Sequence, residues 1–348
     1  MLFFKAKGHK VISLSQREGV EINPFLKSQG IEAYSFVLPG ELNFLYFLRH
    51  TLYFINFCRK NKITVVFSHL DSANFVASIG QYFIRANVFL CRHHIDEAAL
   101  YNYHLSWSYK LANRLAKKVI VVSQRSLHYM VNVENVPERK LIHINLAYDF
   151  SLYRMPDTKV IKDIRGIYNS KTLLITVCRL TKFKRPELSI QVVRKLKAIG
   201  MDAHLIILGT GEMHGELQRQ IEIDGLSGSV SLPGHVSNAL DYMAAADFIL
   251  HPSVLESSCV VIKEAGLVQK PVIVCKDIGD FNDYIVSGYT GFLVNKDAYA
   301  EQASHIIHTY ANDQAKLLEL GKNLESEVYR LFDIKNISVN YTSIVDGN

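Results

Sequence analysis

The sequence predicts an α/β protein built from two doubly wound, Rossmann-like domains. Short β-branched or apolar runs alternate with longer helical patterns, as in parallel sheets covered by helices on both faces. That series runs twice. The length, 348 residues, suits about two domains of ordinary size.

The expected strands of the first series are residues 11–14, 33–37, 64–67, 88–91, 119–122 and 141–144, with helical patterns such as 72–84 and 106–117 between them. The second series has expected strands at 173–177, 204–208, 230–232, 248–250, 272–275 and 292–294, and helices at 186–199, 213–223, 239–245 and 260–268. The stretch "YDFSLYRMPDTK", residues 148–159, reads as the linker. The expected domains are 1–150 and 151–325, with a C-terminal helix in 326–348 packing back toward the first domain.

Composition narrows the function classes. Hydrophobic residues make up 49% and charged residues 21% of the chain, which is globular rather than disordered. The opening "MLFFKAKGHKVISLS" has too short an apolar run to be expected to act as a signal peptide. The most apolar window, residues 43–58, carries Arg49 and His50 at its middle and is too short and charged for a membrane span. Five dispersed cysteines argue for reduced thiols in a cytoplasmic protein and against a zinc site. Charge is uneven: residues 1–150 hold 18 Lys and Arg against 10 Asp and Glu, and the remainder hold 21 against 23. A basic first half suits an anionic partner or membrane surface, although chance asymmetry gives the same pattern.

In such domains ligands gather at strand carboxyl ends, and three stretches there carry chemistry. In "HPSVLESSCVVIKEAG", Glu256 lies in the turn after an expected buried strand and Glu264 lies in the next helix, eight positions on. Ser257 and Ser258 are candidate caps of that helix, whose leading amides make an anion site. Two carboxylates suit a polyol, each accepting hydroxyl hydrogens. Taken alone, they read as well as exposed carboxylates favoured by the helix dipole. In "VCRLTKFKRPE", Arg179 and Lys184 lie five apart in a loop at a strand end. A guanidinium and an ammonium there suit a diphosphate, and an ordinary basic loop looks the same. Lys182 and Arg185 either share that role or are solvated. In "LIILGTGEMHGEL", Gly209 and Gly211 sit between a strand and a helix. The spacing to Gly215 is one residue too long for a dinucleotide fingerprint, and no acidic residue for a ribose ends the next strand. These glycines read as a tight turn with close backbone approach to a ligand.

Together these residues resemble the retaining glycosyltransferases of family 4, which have the GT-B fold of two Rossmann-like domains facing a cleft. The resemblance is carried by "CRLTKFKRPE", "LIILGTGE", "VSLPGHV", "ADFILHPSVLESSCVVIKEA", "KPVIV" and "GYTGFLV", in the family's order over roughly residues 170–300, and more loosely by "KGHKVISLS", "VIVVSQRS" and "IHINLAYD". It implies that a nucleotide-sugar binds the second domain. Arg179 and Lys184 match the pair on the diphosphate, Glu264 the carboxylate on the ribose, and Glu256 the one beside the transferred sugar. Gly209, Gly211, His235 and the Ser257-Ser258-Cys259 segment fall on donor-binding positions. His93 or His94 in "CRHHIDE" lies where the family carries a first-domain histidine facing the donor sugar; a strand-end histidine is otherwise more often structural. No Asp-x-Asp motif falls in a suitable loop, so neither metal nor other cofactor is implied; cationic side chains and a helix N-terminus would take the leaving-group charge. Two departures stand out. Ser257-Ser258-Cys259 replaces the family's Gly-Phe-Gly, and "INLAYD" keeps Asn145 without the usual following glycine.

The resemblance implies a retaining, metal-independent transferase acting on a polysaccharide, lipopolysaccharide or lipid-linked acceptor; cysteine usage places it in the cytoplasm, the inner face of the membrane is a candidate location, and no role for nucleic acid is expected. Rival readings are a catalytically weak nucleotide-sugar-binding subunit and a nicotinamide-dependent oxidoreductase, which the missing ribose acid disfavours. In the window 43–60, Tyr46, Arg49, His50, Tyr53, Phe57 and Lys60 share one helix face suited to an anionic lipid surface, with Phe44, Leu48, Leu52 and Ile55 facing the sheet. A helix packed between core and partner domain reads equally well. At the start of the chain, Gly8-His9-Lys10-Val11 falls where the family has already completed a strand, a glycine-rich loop and a helix. The expectation is therefore a longer natural protein. Residues 1–7 are expected to be helical, to supply no central strand, and to leave the first domain the less stable.

Overall fold

The computed structural model describes residues 1–39, 43–93 and 106–346. The chain divides into two compact units, one comprising residues 1–122, 126–144 and the end of the chain from Ser338, the other residues 123–125 and 145–337. Every strand pairing described in either unit is parallel.

In the first unit the strands fall into two sheets. β1 (Ile12–Ser15) pairs with β2 (Glu32–Ser35), and β3 (Val65–His69), β4 (Asn87–Arg92), β5 (Lys118–Val121) and β6 (Leu141–His143) follow one another in a four-stranded sheet. Residues 1–7 hold a short helix, Leu2–Ala6, and residues 1–10 add no strand to either sheet. The described buried apolar side chains are distributed among small clusters, such as Val88, Leu90, Val119, Val121 and Met130 in one and Leu26, Ile31 and Ala33 in another.

The helix Phe44–Lys60 is apolar over most of its length, and Asn43 caps its start, accepting from the Tyr46 amide at 2.9 Å. Its buried face is not the one the sequence suggested. Phe47, His50, Thr51, Ile55 and Cys58 are buried, whereas Phe44, Leu45, Leu48 and Leu52 are exposed. Tyr53 stacks on Phe36 at 3.9 Å and Phe57 meets Tyr34 edge-on. The aromatic face is therefore used for packing against the β2 segment, which turns the leucines outward.

The second unit holds one six-stranded sheet in the order β12-β11-β10-β7-β8-β9, from β7 (Thr172–Val177), β8 (Ala203–Leu208), β9 (Val230–Gly234), β10 (Phe248–His251), β11 (Val272–Cys275) and β12 (Phe292–Val294). Central strands such as "LLIT" and "FILH" are apolar without alternation because helices cover both faces. One continuous core includes Leu173, Ile206, Ile249 and Phe332. The expected linker is part of this unit. Phe150 is buried in the core, and Tyr148 exchanges two backbone hydrogen bonds of 2.8 Å with the Phe332 carbonyl and the Ile334 amide. The main segment of the unit thus runs from Asn145 to Ile337 and includes the stretch 148–159.

Candidate functional site

Strand order marks one place in the second unit. β7 comes first in its series, and its neighbours are β8, which follows it, and β10, to which the chain returns. The order reverses between β7 and β10, and open α/β sheets bind ligands outside the strand carboxyl ends at such a reversal. The loops leaving these strands are residues 178–185 and 252–259. They are tied together: the Val254 amide and the Ser253 hydroxyl both donate to the Phe183 carbonyl, at 3.0 and 3.2 Å.

Across this junction Lys184 Nζ donates to Glu256 Oε1 at 2.5 Å, and His251 Nε2 lies 2.6 Å from the same oxygen. Cys259 Sγ is 3.4 Å from that nitrogen. Burial alone would raise the Glu256 carboxyl, but the His251 charge and Lys184 outweigh it and hold the group at about 2. Burial likewise opposes charge on His251, and Cys259 and Glu256 overcome it, so the imidazole titrates above its ordinary value. Its Nδ1 is buried with no hydrogen-bond partner among the described residues. These three residues are also the one grouping, among the described residues, whose ligand atoms all lie within 4.8 Å of one another, as a metal needs. The Lys184 ammonium already takes the cation's place on that carboxylate.

Glu264 differs. It lies in the helix Val260–Leu267, is half-buried, and its carboxylate makes no hydrogen bond or ion pair among the described residues. Burial raises its pKa. Arg179, just past β7, is exposed and likewise forms no ion pair among the described residues. Lys182 is exposed, and Arg185 is the N-cap of the helix Pro186–Ala198 with φ of 51°.

The serines do not cap as expected. Cys259 is the N-cap of the helix Val260–Leu267, with no side-chain capping bond, and Ser258 donates instead to Asp280 Oδ2 at 2.7 Å. The leading amides of that helix are consequently left for a ligand or solvent. Gly209 has φ of +125°, and a Cβ there would lie 1.9 Å from the Cys178 carbonyl oxygen; at Gly211 it would lie 2.4 Å from that of Leu180. Both glycines are therefore required by the chain's own backbone beside β7, with or without a ligand. His235 is exposed directly after β9.

In the first unit, His93 follows β4 and its Nε2 lies 2.7 Å from Nδ1 of His69, at the end of β3. The rings are stacked with centroids 5.0 Å apart, and burial lowers the His69 pKa. One ring donates and the other accepts. His94 lies outside the described residues.

His251 escaped the sequence reading as a site residue. Its signal was its place at the end of a buried strand, five residues before Glu256.

Comparison with known proteins accords with this geometry. Residues 157–327 match the profile of glycosyl transferases group 1, and residues 3–151 that of glycosyltransferase family 4. Over 254 residues, 69% of the chain, it is 27% identical to alpha-monoglucosyldiacylglycerol synthase of Acholeplasma laidlawii. Over 238 residues, 65% of the chain, it is 24% identical to an uncharacterised glycosyltransferase of Methanocaldococcus jannaschii. The matches cover 62% and 59% of those proteins, so the chain spans less than two thirds of the length of these curated relatives. Among solved structures, Anabaena HepE in complex with UDP aligns with a TM-score of 0.83 at 20% identity, covering 98% of this chain and 100% of that one, which is a likeness of fold. With both profiles matched in order and a GT-B architecture, the chain belongs to the family 4 glycosyltransferases, glycosyl transferases group 1.

Proposed function

We propose that the chain is a retaining glycosyltransferase that takes a sugar from a nucleotide-sugar donor and passes it to a polysaccharide, lipopolysaccharide or lipid-linked acceptor. The observation that carries this reading is the Lys184–Glu256 contact at the β7/β10 reversal, flanked by Arg179 and Glu264. In this reading Arg179, Lys184 and the leading amides of the helix Val260–Leu267 neutralise the donor diphosphate. Glu264 accepts from the ribose hydroxyls, and Glu256 lies beside the transferred sugar. The acceptor hydroxyl attacks the anomeric carbon on the face from which the diphosphate leaves. The bond from that carbon to the phosphate oxygen breaks, the new glycosidic bond forms, and the departing phosphate oxygen takes the acceptor's proton. Charge on the leaving group is met by side chains and amides, without a required metal.

Support for a uridine donor comes from HepE, which is solved with UDP and with UDP-glucose. The name of the Acholeplasma relative supports a lipid acceptor. No described helix is long and apolar enough to cross a membrane. On the helix Phe44–Lys60, however, Phe44, Leu45, Leu48 and Leu52 are exposed together with Arg49, Arg59 and Lys60. Apolar and basic side chains on one exposed surface suit an anionic bilayer interface, so we assign this helix to peripheral contact at the cytoplasmic face. Flotation with anionic liposomes should recover the protein, and Leu48→Glu with Leu52→Glu should abolish recovery; equal recovery of both would remove the assignment.

The donor reading is tested by thermal shift against a panel of nucleotide-sugars. A ligand at 100 times its Kd stabilises by about 2.7 kcal/mol, a clear rise in Tm. No rise with any nucleotide-sugar would reject it. Binding without transfer would instead make the chain a donor-binding subunit.

A further inference from the structure

Directly behind the Glu256 loop lies an ion pair that stability does not explain. Lys263 Nζ donates to Asp280 Oδ2 at 2.5 Å, and both side chains are completely buried. The ammonium sits over the rings of Phe332 and Tyr284, at 4.3 and 4.9 Å from their centroids. Ser258 Oγ donates to the same Asp280 oxygen at 2.7 Å. Removing two charges from water is expensive, and apolar side chains of similar volume often do as well or better in such a place. A lysine and an aspartate here call for another role.

Their connections indicate which. Asp280 ties three segments: the loop at Ser258, the helix Val260–Leu267 at Lys263, and its own turn after β11. Gly279, next to Asp280, has φ of +54°, and a Cβ there would lie 2.8 Å from Glu256 Cβ and 3.2 Å from its carbonyl oxygen. The turn therefore abuts Glu256. Lys263 precedes Glu264, and Ser258 lies between Glu256 and the first amides of the helix. Every group to which the donor reading gives a contact in residues 256–264 is one or two residues from this network.

We infer that Lys263, Asp280 and Ser258 are positioning residues, a buried lock that holds Glu256, the amides of residues 257–260 and Glu264 in the register that receives a nucleoside diphosphate sugar. The inference rests on the donor reading for its ligand, but the lock itself is a property of the unliganded chain. An apolar replacement would fill the same volume and leave Ser258 without its acceptor, freeing the loop to shift.

The test replaces the pair together, Lys263→Met with Asp280→Leu, so that no charge is left buried alone. Three quantities are read: Tm, amide hydrogen exchange across residues 256–260, and UDP affinity by calorimetry. We expect Tm to stay within a few degrees of the wild type or rise, exchange in 256–260 to quicken about tenfold or more, and UDP affinity to fall about tenfold or more. Unchanged exchange and affinity at an unchanged Tm would overturn the lock. If the double variant does not fold, Ser258→Ala cuts one arm and leaves the pair intact; it should quicken exchange in the same residues several-fold, and no change there would overturn the inference equally. A wild type that binds no UDP would overturn the donor reading, while the exchange measurements would still decide the lock.

Discussion

Glu264→Gln separates a carboxylate kept for a ligand from one that supports the fold. Glu264 is half-buried, has no protein partner among the described residues, and has its pKa raised by burial. A group whose folded pKa lies above its unfolded value favours the fold below the unfolded value and loses that contribution as pH rises through the folded one. At neutral pH the charged carboxylate is therefore a cost to the unliganded protein. Leaving a buried polar group unsatisfied costs about 1–3 kcal/mol, and half-burial places Glu264 near the lower end. Glutamine keeps the shape and removes the charge, so Tm should rise by about 2–4 °C at pH 7 and the difference should shrink towards pH 4. Binding should move the other way. A charge-assisted hydrogen bond to a ribose hydroxyl is worth about 1.5–3 kcal/mol, so UDP affinity should fall about tenfold to a hundredfold. Thermal denaturation at several pH values and calorimetry with UDP read both. A lower Tm with unchanged UDP affinity would show that Glu264 serves the fold, and the ribose assignment would fail.

Three further outcomes follow from the same geometry. Lys184→Met should weaken UDP binding about tenfold or more and also destabilise the protein; because Glu256 is held at about 2, stability that is present above the unfolded value of about 4.3 and lost as pH falls should in this variant be lost at a higher pH, as an acid titration of Tm will show. Arg179→Ala removes an exposed cation with no partner among the described residues, so stability should change by no more than about 0.5 kcal/mol while UDP affinity falls; a loss of Tm without a loss of affinity would contradict its role. Native-state hydrogen exchange should show β7 and β10 the most protected and β1 and β2 among the least, because the second unit has one continuous core and the described buried side chains of the first fall into separate clusters; equal protection would refute this.

Much of this architecture was legible because parallel strands covered on both faces read as unbroken apolar runs. The strand seeds at 173–177, 204–208 and 248–250 fall within β7, β8 and β10. What failed was legible only in three dimensions. The helix Phe44–Lys60 has apolar side chains all round, so its periodicity does not choose a face; the choice was made by Phe36 and Tyr34 packing on Tyr53 and Phe57. Ser258 looked like a cap because serine before a helix usually caps, but the buried carboxylate of Asp280, well past the end of that helix, competes for it. Lys263 carried no signal of its own in the sequence, and nothing local announces that its partner is Asp280.

The two glutamates of "HPSVLESSCVVIKEA" are unequal for a reason that bears on how a donor would enter. Glu256 is neutralised in advance by Lys184, with His251 on the same oxygen, whereas Glu264 is left without a partner among the described residues. Lysine has three donors, so the ammonium can keep Glu256 and still meet a phosphate oxygen, but as a shared cation. Taken as charges, Lys184 and Arg179 balance Glu256 and Glu264 before any donor arrives. A diphosphate then brings negative charge to loops whose other cations, among the described residues, are Lys182, Arg185 and a charged His251. Further attraction comes from the uncapped amides of the helix Val260–Leu267 and from Arg179, which forms no ion pair among the described residues. Donor affinity should accordingly depend on how accurately those amides are placed, which is what the buried pair behind them controls.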